Sequence, residues 1–223
     1  LWERGARQPA VEHLSRAVEI SGGKDASMLI QLGRMQLALG DLEEASRLAD
    51  SALRSAPQNE AAWRLHANVL ERQGRVPEAL DSYYRSLSYD MHNAETLLAV
   101  AELHHQLGRP SRALATLQRL DSSLVGDDSE RRVWELRGLA QQQIGRYDEA
   151  LESLTKALEL GPPSAELLGQ LAEVHWQLGH DELARRVLRD ALLLATPEQQ
   201  ASLRRLMTQI ASLSEENSSS TRR

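Results

Sequence analysis

The chain has 223 residues, of which 41% are hydrophobic and 26% charged, and its formal net charge is −6. This composition is typical of a folded domain and lacks the dense basic surface that nucleic-acid-binding proteins need. The absence of cysteine excludes disulfides and thiolate metal sites, and no apolar run has the roughly 18 residues that a membrane-spanning helix needs.

The chain begins with what we interpret as half of a structural unit. Residue 1 is a leucine, and Gly5 is followed by Ala10 at a spacing that recurs further along the chain. We therefore predict that residues 1–22 form the second helix of a truncated repeat, so that a leader segment or a further domain could precede Leu1.

A glycine followed five residues later by an alanine recurs along most of the remaining chain. The glycines are Gly40, Gly74, Gly108, Gly145 and Gly179, and the alanines are Ala45, Ala79, Ala113, Ala150 and Ala184. Because the spacing stays close to 34 residues, it indicates one supersecondary unit copied along the chain. The predicted repeats span residues 26–59, 60–93, 94–130, 131–164 and 165–196.

Each copy combines two stretches of helical period with a glycine turn between them. In the first copy, the apolar stripe of an amphipathic helix consists of Leu29, Leu32, Met35 and Leu39. A glycine fits the end of this helix because a left-handed residue without a Cβ is favoured there. The small alanine early in the second helix allows close approach, so we predict a helix–turn–helix unit that covers its apolar face by stacking.

The chain departs from this period at two places. The third copy is three residues longer than its neighbours, which predicts a loop over residues 121–130. After Pro197 the turn glycine is missing, but the apolar residues still recur at helical spacing, so we predict a capping helix over residues 197–213. Residues 214–223 are polar without any apolar period, which predicts a disordered tail.

Residues at fixed positions of the copies match the tetratricopeptide repeat (TPR) pattern. They are Leu32, Gly33, Gly40, Ala45, Ala52 and Pro57 in the first copy, and Trp134, Gly138, Gly145, Tyr147, Ala150, Ala157 and Pro162 in the fourth. The chain therefore resembles the TPR family from about residue 26 to residue 196. The resemblance implies an all-α fold, a right-handed α-solenoid of helix–turn–helix repeats with a capping helix, and the binding of other proteins.

The first helices of TPR arrays line a concave groove, so the resemblance implies a partner-binding surface at set positions of each repeat. We predict that a protein or peptide is held there by Arg34, Arg64, Asn68, Arg72, Glu102, His105, Glu173 and Trp176. The arginines belong to the first two copies and the glutamates to later ones. An extended peptide would therefore lie with its acidic part toward the first copies and its basic part toward the last.

The sequence carries no catalytic signature such as a phosphate-binding glycine loop, a zinc-binding HExxH or a serine nucleophile elbow. We therefore predict a non-enzymatic scaffold with no cofactor, no metal and no nucleic-acid ligand, in which His104 and His175 serve in packing. Two alternatives remain open. The chain could self-assemble through Val11, Leu14 and Val18 of its half repeat, or it could be the recognition arm of an enzyme whose catalytic domain precedes Leu1.

Overall fold

The computed structural model describes residues 7–120 and 127–220, and the regular elements within these two ranges are all α-helices. None of the described helices is long and apolar enough to cross a membrane. In chain order the helices are α1 (Arg7–Ile20), α2 (Ala26–Leu39), α3 (Leu42–Ser55), α4 (Glu60–Arg72), α5 (Val76–Tyr89), α6 (Ala94–Gln106), α7 (Pro110–Leu117), α8 (Asp127–Gln143), α9 (Tyr147–Glu159), α10 (Ala165–Gln177), α11 (Asp181–Leu194) and α12 (Pro197–Ser220).

The helices belong to two compact units, which we call the N-terminal unit (Leu1–Leu103) and the C-terminal unit (His104–Arg223). In the N-terminal unit, α2 packs on α3 and α4 on α5, and α1 packs on α2. In the C-terminal unit, α8 packs on α9 and α10 on α11, while α12 packs on both α10 and α11. Each unit thus consists of antiparallel helix pairs laid against one another.

Glycine turns separate the two helices of a pair, as the sequence predicts. Gly40 ends α2 with a φ of 86°, and its own N–H and that of the next residue bond to the last turn of the helix. Gly145 has a φ of 77° in the corresponding turn before α9. An L-residue with a Cβ is strained in this left-handed conformation, so glycine lets the chain reverse here at little cost.

The core of the N-terminal unit depends on close approach between its helices. Ala45, Ala49 and Ala52 of α3 are fully buried, and Leu65 of α4 is buried with them. A Cβ added to Gly33 of α2 would lie 2.5 Å from Leu65 Cδ2. The missing side chain at residue 33 therefore makes room for the leucine of the next repeat.

The C-terminal unit has a core of the same kind. Ala150, Leu154 and Leu188 are completely buried in one cluster that α12 closes with Leu203 and Ile210. On the other side of α10, a Cβ added to Gly169 would lie only 2.8 Å from Leu203 Cδ2. This contact lets α12 lie directly against α10, in the place that the first helix of a further repeat would take.

Two predictions about the irregular segments are wrong. Helix α8 begins at Asp127, inside the loop predicted over 121–130; residues 121–126 of that loop lie outside the described residues. Helix α12 continues to Ser220, so the tail predicted over 214–223 is helical over its first seven residues, which contain neither glycine nor proline to end the helix.

The apolar stripe of the half repeat is also placed differently from the self-assembly alternative. Val11 of α1 is buried, and Leu14 and Val18 pack against the core cluster of the N-terminal unit. Val11 is therefore covered by the chain's own helices, and Leu14 and Val18 are partly covered by them. The exposed apolar residue of α1 is Ile20 at its C-terminal end.

Candidate functional site

A cavity of about 340 Å³ brings together four of the residues predicted to contact a partner. The three from α4 are spaced four residues apart, so they lie on one face of that helix, and α2 contributes the fourth. The lining consists of Arg34, Leu37, Ala38, Arg64, Asn68, Arg72 and Glu95. We call this surface the arginine cavity of the N-terminal unit.

The three arginines of the arginine cavity are not equivalent. Arg64 lies 3.1 Å from a carboxylate oxygen of Glu60 and 3.4 Å from one of Glu95, and its side chain is only 11% exposed. Arg34 and Arg72 are exposed and form no ion pair with any residue that the structure describes. The charge offered to a ligand is therefore carried by Arg34 and Arg72, while that of Arg64 is balanced internally.

The pairing of Arg64 with Glu95 corrects part of the predicted charge pattern. Glu95 belongs to the third copy, where the predicted pattern has acidic residues apart from the arginines of the first two copies, but it lies in the arginine cavity itself. Residues of consecutive first helices face one another across this surface, which the linear sequence does not display. The N-terminal unit is consequently less positive at this surface than a count of its arginines indicates.

A buried tyrosine lies beneath the arginine cavity. Tyr83 of α5 is 1% exposed, and its hydroxyl lies 2.5 Å from Asn68 Oδ1 and 2.7 Å from Glu71 Oε2. Burial, together with the hydrogen bond to Glu71, raises the pKa of Tyr83 above its ordinary value, so it stays a neutral donor. Tyr83 thus fixes two polar side chains of α4, and sequence reasoning missed it.

The helices that carry the cavities are fixed at their N-termini by side-chain caps. Asn59 Oδ1 accepts a hydrogen bond from the Ala62 N–H at the start of α4, and Ser164 Oγ accepts one from the Leu167 N–H at the start of α10. Among the second helices, α3 is capped by Asp41, whereas α5, α9 and α11 have no side-chain cap. The caps stabilise the first turns of the helices from which the lining residues project.

The C-terminal unit has two adjoining cavities that share Gln170 and Glu173 of α10. The larger, about 480 Å³, lies between α10 and α12, and the smaller, about 340 Å³, is lined by α8, α10 and the first residue of α9. We call them together the glutamine groove. Its lining is Leu139, Gln142, Gln143, Tyr147, Ala165, Glu166, Gly169, Gln170, Glu173, Gln177, Gln199, Ser202, Leu203, Arg205, Leu206 and Gln209.

Most polar side chains of the glutamine groove form neither an ion pair nor a hydrogen bond with a residue that the structure describes. Glu166, Glu173 and Arg205 form no ion pair within the described ranges. Five side-chain amides make no hydrogen bond to a described residue, and these belong to Gln142, Gln143, Gln170, Gln177 and Gln209. Unlike Asn68 in the N-terminal unit, these groups keep their full hydrogen-bonding capacity for a ligand.

Three of the predicted contact residues lie outside these cavities. Trp176 is half-buried and packs against the core cluster of the C-terminal unit. Glu102 and His105 of α6 are also half-buried, and neither lines the arginine cavity or the glutamine groove. The structure therefore groups Arg34, Arg64, Asn68 and Arg72 at one surface and places Glu173 at another.

The histidines at the family's tyrosine position are packed as the sequence predicts. His104 is 2% exposed, and burial, with Arg112 and Arg109 acting in the same direction, lowers its pKa. His175 is half-buried, with its Nδ1 3.4 Å from Nδ1 of His180. Among the described residues, no group of three or more His, Cys, Asp or Glu is placed to hold a metal ion.

Family models described as tetratricopeptide repeat match residues 70–138, 143–210 and 30–92. The chain belongs to the tetratricopeptide repeat family. Proteins of this family are in general scaffolds for protein–protein interaction. The predicted family and all-α repeat fold are thereby confirmed.

Known proteins with similar sequences are much longer than this chain. The chain is 29% identical over 179 residues to the cellulose synthase operon protein C of Xanthomonas axonopodis pv. citri, covering 78% of this chain and 12% of the relative. It is 25% identical over 171 residues to the DnaJ homolog subfamily C member 7 homolog of Schizosaccharomyces pombe, covering 70% and 35%. The chain thus corresponds to a minor part of each relative.

Solved structures show the same fold. PilF of Pseudomonas aeruginosa superposes with a TM-score of 0.72 at 23% identity, covering 88% of each chain. YrrB, a TPR protein with an unusual peptide-binding site, superposes with a TM-score of 0.73 at 22% identity, covering 87% of this chain and 99% of YrrB. At these identities the likeness concerns the fold.

Proposed function

We propose that this TPR chain is a non-enzymatic scaffold that holds an extended segment of another protein against the first helices of its repeats. The observation that carries the proposal is the lining of the cavities, which comes chiefly from α2, α4, α8, α10 and α12 and includes charged groups without partners. A peptide-binding site in the similarly folded YrrB supports the same use of the fold. Unpaired polar groups in a concave surface are what a ligand can satisfy.

The two units favour opposite charges in the segment. Arg34 and Arg72 suit a carboxylate-bearing side chain, since arginine binds carboxylates through charge-assisted hydrogen bonds. Glu166 and Glu173 suit a basic side chain in the same way. We therefore keep the predicted polarity of the bound segment, acidic toward the first repeats and basic toward the last. Glu102, His105 and Trp176 remain proposed as further contacts.

The proposal is tested with a phage library of random 12-residue peptides selected on the immobilised full chain. We expect selected peptides to contain acidic residues and to bind at least tenfold more weakly to the variant Arg34→Glu with Arg72→Glu, because two attractive pairs become repulsive. The matched control is Arg16→Glu with Arg54→Glu, which changes the net charge equally at exposed positions outside the arginine cavity. Equal loss in both double variants would show a non-specific charge effect and contradict the proposal.

Self-assembly is not favoured by the structure as a second function. Its basis was an exposed stripe on the half repeat, but Val11 is buried, and Leu14 and Val18 are partly buried against the core cluster of the N-terminal unit. Light scattering over a concentration series tests this directly, and we expect the apparent mass to stay constant. The recognition-arm alternative concerns residues beyond this sequence and stays a prediction.

A further inference from the structure

We propose that the glutamine groove recognises the main chain of an extended segment, and that Glu166 and Glu173 select a basic side chain within it. The inference rests on the proposed function and deepens it, since it states which chemical groups of the ligand the C-terminal unit recognises. Side-chain amides would fix the path of the peptide, and the carboxylates would fix its register. The chemical class of ligand is a polypeptide in β or polyproline II conformation with one lysine or arginine.

The amides of the groove match the hydrogen-bonding groups of a peptide main chain. A glutamine side chain offers a carbonyl acceptor and an NH₂ donor, which are the counterparts of a peptide N–H and C=O. Gln142 and Gln143 lie on α8, Gln170 and Gln177 on α10, and Gln209 on α12. Three alternate helices, α8, α10 and α12, thus present the same chemical group along one surface, as a ligand with a regularly repeated donor and acceptor requires.

The amides are available because none of the five bonds to a described residue. In the second copy the Tyr83 hydroxyl contacts Asn68 and Glu71, and the polar groove residues at these two repeat positions are Gln142 and Glu173. Leu154 and Leu188 are completely buried where α5 has Tyr83, and a leucine cannot donate a hydrogen bond to either of them. The groups of the glutamine groove are therefore bonded to water in the free protein, and a ligand must replace those bonds.

An extended segment replaces those bonds better than a helix does. The main-chain N–H and C=O groups of an α-helix are bonded to one another, except at its ends, so they are not free for glutamine side chains. A helical ligand needs a continuous apolar groove, but apolar side chains are interspersed among amides and carboxylates in this lining. Leu139, Leu203 and Leu206 provide apolar contact for individual side chains of an extended ligand.

The charge of the groove decides which side chain fits. Glu166 and Glu173 carry two unpaired carboxylates, against one unpaired guanidinium from Arg205 on α12. Glu173 lines both cavities, so a cation beside it lies at the centre of the glutamine groove. Lysine or arginine at one position of the segment is attracted there, and an acidic residue at that position is repelled.

The test uses a peptide selected from the same random library on the full chain, labelled with fluorescein and titrated by fluorescence anisotropy. We expect the variant Gln170→Met with Gln177→Met to bind about four- to a hundredfold more weakly, because each lost hydrogen bond is worth about two- to tenfold. The matched control is Gln118→Met, an exposed glutamine of the same unit outside the glutamine groove. The double variant Gln170→Ala with Gln177→Ala also removes both amides. If both double variants give the circular dichroism spectrum of the native chain, loss of folding is excluded as the cause of weaker binding.

A second arm measures main-chain recognition itself. N-methylation of single peptide bonds removes one N–H donor at a time, and we expect a loss at alternate positions with the native protein. The same N-methylated peptides should lose less affinity for the variant Gln170→Met with Gln177→Met, because that variant lacks the glutamine carbonyl that accepts the hydrogen bond from the peptide N–H. Glu173→Gln keeps an amide and removes the charge, so it should abolish the preference for lysine over norleucine while leaving the N-methyl pattern intact.

The outcomes separate this inference from the proposed function. Peptides that lose affinity with Arg34→Glu and Arg72→Glu, but bind the glutamine variants normally, would overturn the inference and leave the scaffold function standing. Peptides that bind in helical form, or without sensitivity to N-methylation, would overturn it too. Failure to select any peptide that binds above background would count against both.

Discussion

One repeat position distinguishes the second repeat from the fourth and fifth, together with the surfaces that they offer. Nine residues after the turn glycine, the second repeat has Tyr83, whereas the fourth and fifth have Leu154 and Leu188, all of them buried. The tyrosine hydroxyl is hydrogen-bonded to the side chains of Asn68 and Glu71, which leaves them less hydrogen-bonding capacity for a ligand. The leucines form no such hydrogen bonds, so the polar side chains of the corresponding surface stay available to a ligand. A change in the second helix of a repeat therefore alters what the first helix can offer a ligand, without any change in fold.

The largest expected effect comes from truncating a buried leucine at this position. We expect Leu154→Ala to lower the free energy of unfolding by about 2–5 kcal/mol, because a completely buried leucine leaves a cavity when truncated. The measurement is urea denaturation followed by circular dichroism. Leu193→Ala is the matched control, since Leu193 is 84% exposed and should change the stability by less than about 0.5 kcal/mol. Equal effects at both sites would show that this position is not part of the core.

Removing the hydroxyl of Tyr83 at the same repeat position should lower the free energy of unfolding by less. We expect Tyr83→Phe to lower the free energy of unfolding by about 1–3 kcal/mol, because the ring stays in place while the bonds to Asn68 and Glu71 are lost and Glu71 is charged. Urea denaturation of the full chain measures it. Tyr84→Phe, one residue along α5 and 45% exposed, is the control. A neutral Tyr83→Phe would mean that water replaces the hydroxyl without cost, and that Asn68 is not fixed by it.

Much of this architecture follows from the sequence, because each signal acts locally. Gly40 takes the left-handed conformation that its place after an amphipathic stripe predicts, and Pro77 stands in the first turn of α5, where no N–H is needed. The TPR family, predicted from the same features, is confirmed by the matching family models. Arg34, Arg64, Asn68 and Arg72 share one surface because the helical period alone brings the last three together.

The parts that could not be predicted depend on contacts between residues far apart in the chain. The ion pair of Arg64 with Glu95 joins two repeats, and the contact of Tyr83 with Asn68 joins two helices across a buried interface. Trp176 occupies a position that faces the groove in the family pattern, but its large ring lies partly against the core. Side-chain length and partner decide such cases, and a repeat pattern specifies neither.

The caps of the cavity helices give a smaller effect that should appear in both units. We expect Asn59→Ala and Ser164→Ala each to lower the free energy of unfolding by about 0.5–2 kcal/mol, because each removes an acceptor for a helix N-terminal N–H. Arg146→Ala is the control, since Arg146 precedes α9 without capping it through its side chain. Hydrogen exchange should show faster exchange in the first turns of α4 and α10. Unchanged exchange there would contradict a capping role.

The smallest effect concerns pH and should appear in both units. Burial lowers the pKa of His66 and of His175 from the ordinary value near 6.5, so each contributes stability above that pH that is lost as the pH falls below it. Asp50 and Glu78 oppose the shift of His66, with Asp50 Oδ1 3.8 Å from the ring, whereas Arg75 adds to it. The neighbouring His180 adds to the shift of His175. Both histidines should therefore contribute to a loss of stability at acid pH.

Single substitutions test the two histidines. With urea denaturation at pH 7.5 and pH 5.5, we expect His66→Gln and His175→Gln each to reduce the acid loss of unfolding free energy, because glutamine takes up no proton in the unfolded chain. His92→Gln, at an exposed position, is the control for the loss of an imidazole as such. An acid loss that either substitution leaves unchanged would contradict a pKa lowered by burial at that site.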